Sequence, residues 1–208
     1  MSEGLWYPGT ATKSSAASLR WFRDTFGGDY PGIDMLAEGI SAGSEGLIFH
    51  PYLNGELTPY GEPLLRASFT GVSSGHGKGH FCRAVLEGVA LSMLDCLKTI
   101  DDIGMEHEDK AMIIGGGAQS RLWRQILADA LGMVLIQPER SDSSLGAAML
   151  AGVAVGVFKD YDQAVSECTA IASVTDPDPE NGKIYAEMFG KYKAIQRALE
   201  PIYTGSAK

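Results

Sequence analysis

Cysteine is scarce: three residues at 82, 96 and 168, odd in number and far apart, offer no disulfide framework. Each lies in an apolar, helix-like context, so reduced core thiols are expected. Basic clusters are missing as well. The 208 residues carry 17 Lys and Arg against 26 Asp and Glu, a formal net charge of −9 spread along the chain. With no run of cations to neutralise phosphates, nucleic acid is not an expected partner. No apolar run reaches the roughly eighteen residues of a membrane span, and Met1-Ser2-Glu3-Gly4 lacks the layout of a signal peptide. A soluble cytoplasmic protein without a membrane partner is expected.

Several catalytic signatures are also lacking. There is no G-x-S-x-G elbow for a serine hydrolase. His76, His80 and Cys82 have no fourth ligand and no HExxH pattern, and Gly77 and Gly79 argue against a regular helix between the two histidines, so no metal site is assigned to them. Carboxylates are many, yet none has sequence neighbours that mark it for a raised pKa and general acid–base work.

What the chain does have is an ordinary globular composition, 45% hydrophobic and 21% charged, and one conspicuous stretch. Met112-Ile113-Ile114 runs into Gly115-Gly116-Gly117-Ala118-Gln119-Ser120, after which Leu122, Ile126, Leu127, Ala130 and Leu131 recur at the spacing of one helix face. The pattern predicts strand, tight turn, helix. Three glycines expose the main chain to close approach, and a helix starting just past them points free N–H groups and a partial positive charge at whatever lies there. The triplet matches neither G-x-x-x-x-G-K-[ST] nor G-x-G-x-x-G, so on spacing alone a ligand site and a plain turn both remain open.

Elsewhere, Gly4 to Gly9 reads as a short apolar piece ended by Pro-Gly, and Ser14 or Ser15 can cap a helix that Gly27-Gly28 stops. A short helix and loop follow over 33–44, then a strand at 46–49. Residues 50–72, with three prolines, form a long irregular loop, a length often tied to function. Phe81–Leu97 is apolar around most of its circumference, so a helix buried on several sides is expected, with Arg83 and Glu87 pairing at i and i+4 inside it. Gly132 ends the next helix and Met133–Ile136 is a second strand. The helix over 141–156 is so rich in small residues that its backbone is expected against a neighbour. A short helix at 160–168, a break at 175–179, an amphipathic helix carrying Tyr185 to Ile202 and a frayed tail at 204–208 complete the chain.

Two stretches together resemble the FGGY family of carbohydrate kinases, within the actin, hexokinase and Hsp70 superfamily. Ala67-Ser68-Phe69-Thr70-Gly71-Val72, a seven-residue spacer and His80-Phe81-Cys82-Arg83-Ala84-Val85-Leu86-Glu87 fit the family's second signature. Gly115 to Ser120 looks like its adenosine motif, and Ser144-Leu145-Gly146-Ala147-Ala148 like the helix that follows. Ser18 to Asp24, Gly46 to Phe49 and Pro51-Tyr52-Leu53 extend the likeness over nearly the whole chain. Among the family's branches the text looks most like the xylulokinases. Gly55-Glu56 is followed by Leu57 where the family has Gly-Glu-Arg-x-Pro, and Arg66-Ala67 replaces an Arg-Gly pair.

The resemblance implies an α/β, actin-like (ribonuclease H-like) C-terminal lobe with a mixed sheet flanked by helices, spanning residues 1–203, of which 1–30 continue an interrupted upstream segment. It implies ATP and Mg²⁺ as cofactors and a pentulose as the sugar. Gly116, Gly117 and Ala118 then lie under adenosine and the α-phosphate, and Arg121, Arg20 and Ala16 match other nucleotide-contacting positions. The family's Asp-x-Gly-Thr motif and catalytic aspartate have no counterpart here, since Asp102-Ile103-Gly104-Met105 lacks the hydroxyl residue and a preceding strand. The expectation is therefore a lobe cut out by design or encoded by a split or truncated gene, without a catalytic residue and inactive without an N-terminal lobe. Its domain-facing surface is expected to favour self-association. A kinase for glycerol, gluconate or ribulose, or a noncatalytic module of the same fold, is the alternative.

Overall fold

The structure, a computed structural model, describes residues 9–205; the apolar piece expected at 4–9 lies almost wholly outside the described residues. Everything is arranged about α3 (Lys78–Asp102), a 25-residue helix in which Cys82 to Ser92 are buried without interruption. A helix apolar on all sides has to be covered on all sides. Here α1 (Ser15–Phe26), α2 (Tyr30–Glu38) and β1 (Ile48–His50) cover part of it, and α4 (Arg121–Leu131) and α7 (Pro179–Thr204) the rest. Gly88 permits the approach of β1: a Cβ there would stand 2.2 Å from the Phe49 carbonyl oxygen.

β1 pairs antiparallel with β2 (Ser68–Thr70), Phe49 opposite Phe69 with ring centroids 4.6 Å apart. Trp21 stacks on Phe49 and Phe81 meets Phe69 edge-on, so an aromatic cluster joins α1, α3 and the two strands. β2 occupies the end of the segment read as an irregular loop from sequence. The rest of that segment is firmly held. Glu56 and Glu62 exchange backbone hydrogen bonds, Tyr60 donates to Asp95 of α3 at 2.5 Å, and the Tyr52 and Tyr192 hydroxyls meet at 2.8 Å.

The second sheet has the order β3-β4-β5. β3 (Lys110–Met112) runs parallel to β4 (Val134–Pro138), and β5 (Ile171–Thr175) antiparallel to it. Parallel neighbours need a crossover, and α4 supplies it. Trp123, Ile126 and Leu127 on α4 face the core, the Ser120 hydroxyl accepts the Trp123 N–H at the N-cap, and Gly132 ends the helix in the left-handed region. β5, like β2, is a strand that sequence reading did not anticipate, and neither of its faces is fully buried.

α5 (Ser143–Ala154), expected against a neighbour, packs on α6 (Tyr161–Cys168) among the described elements, although none of its residues is buried. Only Gly152 uses its small size, with the Phe158 ring 2.7 Å from where a Cβ would stand. α7 runs as a helix through Thr204, its buried Tyr185, Met188, Tyr192 and Gln196 tracing the inward stripe; residues 206–208 lie outside the described residues. Among the described residues no helix is long and apolar enough to cross a membrane.

Candidate functional site

A cleft of about 510 Å³ opens between α1, α2 and the glycine corner that precedes α4. α1 contributes Ala16, Leu19 and Arg20, and α2 contributes Tyr30, Pro31 and Asp34. In both helices the polar group stands four residues after its partner on the same face. The third wall is Gly116, Gly117 and Gln119, from the 3₁₀ turn Gly116–Gln119, and Ser120 after it, with Trp123 beneath.

Local sequence explains the corner. Gly115, at φ 88° and ψ −173°, takes a conformation closed to side-chain-bearing residues. A Cβ at Gly116 would meet nothing within 4 Å, so the wall there is open to the cleft. At Gly117 a Cβ would stand 3.0 Å from the Trp123 ring, so this glycine serves packing as well as access. Trp123 is fixed from below by its indole N–H donating to the Leu86 carbonyl at 3.1 Å. Arg124 donates to the Ala118 carbonyl and braces the turn.

The six residues nominated from sequence are thus not equivalent. Ala16, Arg20, Gly116 and Gly117 line the cleft. Ala118 is buried behind the corner, and Arg121 is turned to Glu38, its guanidinium 2.8 Å from the carboxylate, so that the pair links the start of α4 to the end of α2. Tyr30, Pro31, Asp34, Gln119 and Ser120 were not nominated. Tyr30 and Asp34 carry the i, i+4 spacing of a shared face, but which face α2 turns to the cleft depends on the packing of Ile33 and Ala37 against α3.

The charges are sparse. Arg20 is exposed and has no ion pair among the described residues. Asp34 is half-buried, and burial raises its carboxyl above the usual range, the Ser120 hydroxyl hydrogen bond opposing the shift and Glu38 adding to it. A second raised carboxyl, also unforeseen, is Glu56. It is pushed up by burial and held by the Lys13 and Leu57 N–H groups and the Ser92 hydroxyl, away from the cleft. The His76 and His80 rings are tilted by 34° with centroids 5.0 Å apart, while Cys82 is sealed in the core. Among the described residues no group of three or more His, Cys, Asp or Glu is placed to hold a metal ion.

The sequence model of the FGGY family of carbohydrate kinases, C-terminal domain, matches residues 1–155. The chain belongs to the FGGY family. Its relatives include a xylulose kinase of Staphylococcus epidermidis, 36% identical over 95% of this chain and 40% of its own length. A gluconokinase of Bacillus licheniformis is 31% identical over 98% and 42%. Among solved structures, the ligand-bound xylulose kinase of Lactobacillus acidophilus superposes with a TM-score of 0.86 at 26% identity, over 94% of this chain and 40% of that one. The FGGY chain described here spans about 40% of the length of the curated relatives it matches. Its fold is the expected one, an actin-like α/β lobe with a mixed sheet flanked by helices.

Proposed function

We propose that residues 1–203 form the C-terminal lobe of an ATP-dependent sugar kinase, and that the cleft over Gly116 is its half-site for the nucleotide. One observation carries this reading: a bare main-chain wall at a helix N-terminus closes a cleft of about 510 Å³ lined by Arg20 on the opposite side. Pockets for nucleotide-sized ligands fall in this range, and helix starts favour anionic groups. The residues fit the group. Gly116 leaves space where a Cβ would intrude, the helix start and Arg20 offer charge for phosphates, and Leu19, Tyr30 and Trp123 offer apolar surface for a base.

Phosphoryl transfer depends on positioning and on neutralising phosphate charge, the latter supplied by Mg²⁺ when bound. This lobe's share is to seat the nucleotide and keep it in place; the acid–base carboxylate that takes the sugar's proton belongs to an N-terminal lobe. D-xylulose is the substrate of choice for the complete enzyme because xylulose kinases recur among the relatives. Gluconate is the second reading, supported by the gluconokinase match over 98% of the chain. The setting is cytoplasmic. Exposed apolar residues such as Met112, Ile114 and Val155 suit either a second lobe or a second copy of the chain.

Calorimetric titration with MgADP tests the site. The parent chain is expected to bind, and Gly116→Val to lose binding while melting at the same temperature. Gly117→Val is a poorer probe, since its side chain meets Trp123 first. Absence of binding by the parent, even when joined to an upstream lobe of an FGGY kinase, overturns the reading. Phosphorylation of xylulose by the 208 residues alone overturns the assignment of acid–base chemistry to another lobe, and a noncatalytic module predicts no turnover even with that lobe added.

A further inference from the structure

Arg124 is placed by the start of α4. Side chains of a helix tilt back toward its N-terminus, so the residue four past the Ser120 N-cap lies over the turn that precedes the helix. The Arg124 main-chain N–H donates to the Ser120 carbonyl at 3.0 Å, and its guanidinium reaches back to the Ala118 carbonyl. Among the described residues no main-chain N–H from outside the turn bonds to that carbonyl. Ala118 is buried, so its carbonyl needs a protein donor, and Arg124 is the one it has.

The same arginine has no counterion. The chain carries 26 acidic residues and a net charge of −9, and Arg23, Arg83 and Arg121 each meet a carboxylate. Arg124 is half-buried, meets none among the described residues, and leaves its buried Nε without a hydrogen-bond partner there. Holding a partly desolvated cation in this way costs free energy. One carbonyl could be satisfied by a neutral donor; what arginine adds is a permanent positive charge. That charge stands behind the wall of Gly116, Gly117 and Gln119 and does not itself line the cleft.

The helix start already turns partial positive charge toward the cleft. The guanidinium offsets the negative end of the Ala118 peptide dipole and adds a unit charge, in a half-buried setting where solvent and salt screen it less than at the surface. We infer that Arg124 is a positioning residue of the nucleotide site. It holds the glycine turn and supplies, from behind it, charge that makes the cleft favour an anionic nucleotide over the neutral nucleoside. This inference rests on the nucleotide reading above.

The test is titration of the 208-residue chain with MgADP and with adenosine. The parent is expected to bind MgADP more tightly. Arg124→Gln, which keeps a donor and loses the charge, is expected to weaken MgADP on the order of tenfold, the worth of a unit charge in a half-buried setting, and to leave adenosine nearly unchanged. Arg124→Lys, which keeps the charge, is expected to restore most of the preference. The ratio of the two affinities is compared between variants, because a lower folded fraction scales both affinities alike and leaves their ratio unchanged. A ratio in Arg124→Gln equal to that of the parent, or one in Arg124→Lys as low as in Arg124→Gln, overturns the role given to the Arg124 charge and leaves the nucleotide site standing. Failure of the parent to bind MgADP, alone or joined to an upstream lobe, removes the nucleotide reading itself and this inference with it.

Discussion

The Glu87 carboxylate accepts the Arg83 Nε–H at 2.7 Å, one turn apart on α3, with Glu87 fully buried. The same carboxylate accepts the Gly43 N–H, the Ser44 hydroxyl and the Tyr185 hydroxyl, and Arg83 also donates to that tyrosine. One ion pair thus fastens the central helix to the turn after α2 and to α7.

Removing either partner leaves a buried charge without its counterion. Glu87→Ala is expected to cost about 3–5 kcal/mol in urea unfolding. The pair Arg83→Met with Glu87→Leu is expected to cost less than the sum of the single changes, because neither charge is then left alone.

Gly88 and Gly190 offer a contrast of sign. Gly88→Ala drives a methyl into the Phe49 carbonyl, 2.2 Å from the Cβ position, and is expected to lose about 3 kcal/mol. Gly190 is an exposed position in α7 where a Cβ meets nothing within 4 Å, so Gly190→Ala is expected to gain about 0.5–1 kcal/mol from helix propensity. Thermal melting checks both, and a gain for Gly88→Ala contradicts the close packing of β1 on α3.

Burial lowers the His50 imidazole to about 4 from an ordinary 6.5, against the opposing influence of its Tyr192 hydrogen bond and Asp95. The folded value lies below the unfolded one, so protons favour the unfolded chain as pH falls from about 6.5 to 4. Up to about 3 kcal/mol of stability is lost across that window. The raised carboxyls of Glu56 and Asp34 act in the opposite sense. The difference between parent and His50→Gln in urea midpoint, pH 7 against pH 4.5, isolates the histidine; the variant is expected to lose less.

The Arg121–Glu38 pair is 82% and 58% exposed, so Glu38→Ala is expected to change stability by less than about 1 kcal/mol. The same change frees Arg121 beside the proposed nucleotide site and is expected to tighten MgADP binding a few-fold, an effect that added salt weakens. Arg121→Ala is expected to weaken it. Unchanged binding in both variants removes Arg121 from the site.

Much was legible because it is written in local periodicity and turn chemistry. The all-round apolar pattern of Phe81–Leu97 announces a buried helix, and the run from Ile113 through the glycines to Leu131 announces strand, turn and helix, with Gly132 as the stop. The Arg83–Glu87 pair follows from spacing once burial is granted. Four lining residues of the cleft, Ala16, Arg20, Gly116 and Gly117, were reached through family motifs, since spacing alone left the glycine turn ambiguous.

Tertiary structure decided what depends on a partner remote in sequence. β2 and β5 are short strands whose existence rests on pairing with β1 and β4, and no local signal carries that. α5 has the small residues of a packed helix, but small residues only permit close approach; that the neighbour is α6 was decided by the tertiary structure. Asp34 and Tyr30 reach the cleft because Ile33 and Ala37 are buried on the other side of α2, and Arg121 turns to Glu38 because the two helix ends meet. Sequence by itself determined the family and every helix, with β1, β3 and β4; β2, β5 and the facing of side chains into one cleft came from the packing of the elements about α3, where burial of apolar surface outweighs any local preference.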